Sequence, residues 1–154
     1  MNDSDWDTLP FGHFKPSESW GNTQLIDFHL IWLLDCTRDY LRTPFYIVSG
    51  TQGVHKSDLH SRGLAIDICL EAHNKSILDI FFKICRFPFS GIGLMPFALH
   101  PKCKRALGIH FDIKPMGNSP LGMMQRHWLW IPKRNTTGED IALSMVNCRK
   151  HNII

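Results

Sequence analysis

The 154-residue sequence predicts an α+β fold on three observations. Apolar residues recur at helical spacing between Thr23 and Arg42, Leu64 to Leu70 alternates with the period of a strand, and short apolar runs bounded by Gly or Pro read as further strands separated by a second helical stretch. With 44% hydrophobic and 20% charged residues, the chain has the apolar material for one globular domain over residues 1–154.

In chain order, residues 1 to 22 are rich in Pro, Gly, Ser and aromatic residues. Phe11-Gly12-His13-Phe14-Lys15-Pro16 is too turn-prone for a long helix, so this part reads as an ordered wrap. Leu25, Ile26, Leu30, Ile31, Leu33, Leu34 and Leu41 then mark a helix, with Asn22 or Thr23 as its N-cap and Thr43-Pro44 as its stop. Phe45 to Val48 is a short buried strand closed by Ser49-Gly50, and a loop follows from Thr51 to Arg62. In the next strand, alternation puts Leu64, Ile66, Ile68 and Leu70 on one face and Ala65, Asp67 and Cys69 on the other. Asn74 to Arg86 is a second helix that stops before Pro88. Gly91 to Leu94 and Leu107 to Ile113 read as two strands of a hairpin with an elaborated turn. Trp128 and Trp130 mark an aromatic segment for which core packing is the favoured reading, with an exposed ring stacking on substrate as the alternative. Gly138 to Lys150 reads as a third helix, capped near Thr137 or Gly138.

Charge narrows the function classes. The formal net charge is +3 and the sequence pI about 8.7, but Lys and Arg are scattered singly, without the cluster of a nucleic-acid footprint. The longest apolar stretch, around Leu30 to Leu34, is far short of the roughly 20 residues of a membrane span. Met1 to Asp5 is acidic where an export signal is basic and then apolar, so synthesis and retention in the cytoplasm are expected. The five cysteines form no CxxC pair and are odd in number, and all are read as reduced thiols.

The chemistry lies in two segments. His60 and Asp67 are seven residues apart, the first at the end of a loop and the second inside a strand, with Gly63 allowing a sharp entry between them. In Ile109-His110-Phe111-Asp112-Ile113, alternation sends His110 and Asp112 to one face. If the two strands are neighbours, His60, Asp67 and His110 supply two imidazoles and one carboxylate. Such a set leaves a catalytic zinc an open position, and it also suits non-haem iron. Spacing alone does not choose between these and a pair of satisfied polar residues.

The segments Ser49-Gly50, Ser57-Asp58-Leu59-His60-Ser61-Arg62-Gly63-Leu64-Ala65-Ile66-Asp67-Ile68, Gly91-Ile92-Gly93 and His110-Phe111-Asp112 together resemble the D-alanyl-D-alanine carboxypeptidase family of zinc peptidases. That family also resembles the hedgehog signalling domain and phage L-alanyl-D-glutamate endolysins. The most specific part is the His-x-x-Gly-x-Ala-x-Asp core, and the likeness runs from Phe14-Lys15 to Arg126-His127-Trp128. It implies a small antiparallel sheet flanked by helices, with Zn2+ held by His60, Asp67 and His110. It further implies a metal-activated water that cleaves a peptide bond in peptidoglycan stem peptides. A short chain without a wall-binding repeat suits a bacteriophage product acting at the bacterial cell wall.

Two departures bear on activity. Relatives place Tyr-Arg after Ser-Gly, the arginine holding substrate or developing charge, whereas this chain has Thr51-Gln52, and Gln52 brings hydrogen bonds without charge. Some relatives carry an acid three or four residues before the last ligand, where this chain has Leu107 and Ala106. Asp112 is then the local candidate for general base, or else a hydrogen-bond partner of a metal-binding imidazole. Asp58 and His55 read as solvated loop residues, and His13, His29, His73, His100, His127 and His151 show no partner spacing. The alternative function is a zinc-stabilised binding domain without turnover.

Overall fold

The structure, a computed structural model, describes residues 1–51, 59–71, 77–95, 106–113, 126–132 and 140–143. Its centre is a sheet of β1 (Phe45–Ser49), β2 (Ala65–Glu71), β3 (Gly91–Met95), β4 (Ala106–Asp112), β5 (Arg126–Pro132) and β6 (Asp140–Leu143), in the order β1-β2-β4-β3-β5-β6. Each of the first four strands in that order is antiparallel to its neighbour, as the α+β expectation has it, and β3 and β4 pair as the hairpin reading has it. The sheet then continues through a parallel step from β3 to β5 and an antiparallel one to β6.

One face of the sheet is the core. The alternation read from sequence holds: Ile66, Ile68 and Leu70 of β2 pair with Phe111, Ile109 and Leu107 of β4, and Phe111 and Ile109 also meet Ile92 and Leu94 of β3. Ile66, Ile68, Leu70, Ile92, Leu94, Ile109 and Phe111 are all buried and join Phe45 and Ile47 of β1 in a single cluster. Helix α2 (Phe28–Leu41) adds Leu30, Ile31, Leu33, Leu34 and Leu41, and helix α3 (Ile77–Ile84) adds Ile80, Phe81 and Ile84. Each such side chain contributes roughly 1.5–3 kcal/mol when fully buried.

Several elements differ from the sequence expectation. The helix expected from Thr23 breaks in two. Asn22 caps a single 3-10 turn, Thr23–Leu25, and Asp27 caps α2 by accepting the His29 N–H at 2.8 Å. Two good capping residues five apart compete, and the one next to the apolar run starts the long helix. The end is as expected: Arg42 adopts the left-handed conformation just before Thr43-Pro44. The third helix is wrong over Asp140–Leu143, which forms β6 against β5, because pairing with a neighbouring strand overrides a weak local preference. The remainder of that expected helix lies outside the described residues. The aromatic segment is itself strand β5, between β3 and β6.

The N-terminal wrap holds a short helix, α1 (Asp3–Asp7), with an Asn2/Asp5 capping box, and sends Trp6, Leu9, Phe14 and Trp20 into the core. A buried carboxylate ties it to α2. Asp35, with no exposed surface, accepts the backbone N–H groups of Phe11 at 2.8 Å, Gly12 at 3.2 Å and His13 at 2.9 Å. His13 has a partner that spacing did not suggest, its Nε2 lying 3.3 Å from Asp39 Oδ1. Replacing Asp35 with alanine strands three donors at once. The expected cost is about 3 kcal/mol in urea unfolding, and a loss below about 1 kcal/mol would contradict this account of the wrap.

Candidate metal centre

The face of the sheet opposite the core carries the site. His60 is set by the chain on both sides of it. At the end of β1 the register slips between Ile47 and Ser49, so that Ser49 faces Asp67 and the chain leaves the sheet at Gly50. The Gly50 carbonyl lies 2.9 Å from His60 Nδ1. A carbonyl only accepts, so Nδ1 carries the hydrogen, and Nε2 is the ring atom left for a cation. After His60, Gly63 closes the turn by donating its N–H to the His60 carbonyl at 2.9 Å. Gly63 has a φ of +69°, and a Cβ there would lie 1.9 Å from the Leu25 carbonyl oxygen. Both facts call for glycine.

Asp67 and His110 come together by register. They are direct cross-strand partners on β2 and β4, on the face that alternation assigns them. His110 Nδ1 is 2.7 Å from Asp67 Oδ1, and His60 Nε2 is 3.6 Å from Asp67 Oδ2. The two imidazoles stand edge to face with centroids 5.1 Å apart. One ligand atom from each of His60, Asp67 and His110 lies within 4.8 Å of the others. Ligand atoms around a tetrahedral metal ion are spaced by roughly 3.3 Å, so small side-chain adjustments close this set on a cation. The group can hold a metal ion, and all three sequence-predicted ligands are in it.

Asp112 lies on the far side of His110, its Oδ2 3.5 Å from Nε2, and it is only 1% exposed. The His110 imidazole therefore sits between two carboxylates. Burial opposes its charge, but hydrogen bonds to Asp112 and Asp67, reinforced by their negative charges, outweigh burial and raise its pKa to about 9. A cation at Asp67 competes with that proton for the same lone pairs.

Gln52, His55 and Asp58 lie outside the described residues. Cys36, Cys69 and Cys85 form no disulfide among the described residues, and burial pushes Cys85 up to about 11, far from a ready thiolate. Sequence reasoning missed the Gly50 carbonyl. The Ser-Gly pair at the strand end was its only signal, since a backbone acceptor leaves no residue type to read.

Comparisons of the chain with protein-family models, with curated proteins and with solved structures find no match. The geometry of the site itself therefore carries the functional reading.

The raised pKa of His110 has a sign. Its folded value of about 9 exceeds the ordinary 6.5, so the stability it contributes is complete below pH 6.5 and is lost as pH rises through 9. Chelator-treated protein should show a falling urea midpoint from pH 6.5 to 9.5, and His110→Gln should remove most of that fall. A midpoint that is flat or rising over this range would contradict the assignment.

Proposed function

We propose that the chain is a zinc metallopeptidase that hydrolyses a peptide bond in peptidoglycan stem peptides. The observation that carries this reading is the convergence of two imidazoles and one carboxylate on one sheet face, a donor set that leaves zinc a fourth position for water or substrate. The substrate class rests on the likeness of the His60-to-Asp67 core and the His110-Phe111-Asp112 strand to zinc D-alanyl-D-alanine carboxypeptidases and L-alanyl-D-glutamate endolysins.

When bound, zinc in such a set polarises a carbonyl and brings the pKa of its water to about 7. The chain supplies the rest. His60 is oriented by the Gly50 carbonyl, and Asp67 brings negative charge between the rings. Of the two roles open to Asp112, its burial and its place beside Nε2 of His110 favour holding that ring with Nδ1 toward Asp67. A general base must reach the reacting water, which a carboxylate buried behind the imidazole is poorly placed to do. On β3, Gly93 pairs with His110 and Gly91 with Asp112, so neither position adds a side chain beside the site.

A second reading, a zinc-stabilised binding domain without turnover, is favoured by Thr51-Gln52 standing where relatives have Tyr-Arg. Metal analysis of the purified chain, paired with mass spectrometry of digested muropeptides, separates the two. The peptidase reading predicts one zinc per chain and a new amine or free D-alanine from stem peptides. The activity should disappear on chelation, return with zinc, and fall at least about 100-fold in His110→Ala. One zinc per chain with no cleavage of any stem peptide sinks the peptidase and supports the binding domain.

A further inference from the structure

Gly50 stands where a side chain of any kind would collide with backbone. Its φ is not in the left-handed region, so conformational freedom does not explain a glycine there. Space does. An added Cβ would lie 2.1 Å from the Trp20 carbonyl oxygen, 2.7 Å from its carbonyl carbon and 2.9 Å from its Cα. Backbone atoms cannot swing aside as the end of a long side chain can.

Trp20 is itself firmly held. Its ring is fully buried, 5.2 Å from that of Trp6 and 5.3 Å from that of Phe14, and its Nε1–H donates to the Lys15 carbonyl at 2.7 Å. The residue after Gly50 ties the same two segments together. The Thr51 N–H donates to the Trp20 carbonyl at 2.8 Å, its hydroxyl donates to the same oxygen at 3.1 Å, and that hydroxyl accepts from the Asn22 N–H at 2.6 Å. The Gly50 peptide is therefore pressed against a rigid wrap on one side. On the other, its carbonyl meets His60 Nδ1 at 2.9 Å.

We propose that Gly50 is a positioning residue of the metal centre: backed by Trp20, it holds its carbonyl on Nδ1 of His60 and thereby keeps Nε2 of that ring turned to Asp67. The bond fixes the tautomer as well as the rotation of the ring, and an outer partner of this kind is worth about 10- to 100-fold in metal affinity. The inference rests on His60 being a metal ligand and is independent of whether the chain is a peptidase.

The test is zinc and cobalt(II) binding to the full chain, with zinc affinity read by competition with a chromophoric chelator and ligand geometry by the visible cobalt bands. Gly50→Ala should lower zinc affinity by about 10- to 100-fold and alter the cobalt spectrum. In a His60→Ala background, the same change should cost no more than about twofold, because the ring it acts through is gone. Thr51→Val keeps the side-chain shape and removes only the hydroxyl bonds. It should cost about 3- to 10-fold in the presence of His60 and nothing further in its absence. Should Gly50→Ala not fold, the Thr51→Val pair decides on the same terms. Losses equal in both backgrounds, or a folded Gly50→Ala with unchanged affinity and cobalt spectrum, would overturn the proposal while leaving the metal centre standing. A wild-type chain that binds neither metal would overturn both.

Discussion

The pairing of Asp67 with His110 across β2 and β4 links the core of this protein to its chemistry. Side chains on a strand alternate, so the register that sets Ile66 against Phe111 and Ile68 against Ile109 on one face also sets Asp67 against His110 on the other. A slip of one residue would turn the imidazole and the carboxylate into the apolar cluster and expose the isoleucines. Burial of those apolar side chains, each worth roughly 1.5–3 kcal/mol, thus holds two ligands in place, and their own hydrogen bond adds to it. The contact of 2.7 Å between Nδ1 and Oδ1 is a result of the register.

His60 is held differently. It lies on a turn, and its position derives from two glycines packed on the preceding chain: Gly50 against Trp20 of the N-terminal wrap and Gly63 against Leu25 of the 3-10 turn. The wrap is in turn fixed by its aromatic residues in the core and by Asp35 of α2, which collects three of its backbone N–H groups. A metal ion bound here would join a rigid sheet to a buttressed loop, and its binding energy would add to the stability of both.

The parts of this arrangement legible in the sequence are those in which a side-chain period reports a face. The alternation of residues 64 to 70 and 109 to 113 gave the two central strands and the side on which Asp67, His110 and Asp112 lie. The period of 3.6 gave α2 and α3. Caps were harder: Asn22 and Asp27 are both good N-caps, and only the contact of the Asp27 N–H with the Gly63 carbonyl shows why the chain turns between them. Asp140 to Leu143 was misread because four residues with a weak pattern take the form their neighbour offers. The backbone acceptor at Gly50 left only the glycine itself as a trace, and the His13 partner, Asp39, lies on another element. The ligand set was therefore legible, while what holds His60 in place was not.

Everything proposed for this protein requires that His60, Asp67 and His110 bind one metal ion together. X-ray absorption at the zinc edge of the zinc-loaded chain tests it most directly, because five cysteines offer a thiolate alternative, and one of them, Cys69, lies on the same face of β2 as Asp67. Joint binding by these three residues requires one zinc per chain with only nitrogen and oxygen neighbours at about 2.0–2.1 Å, including the outer-shell scattering of two imidazoles. A sulfur neighbour at about 2.3 Å, or a spectrum unchanged by His60→Ala and His110→Ala, would contradict it.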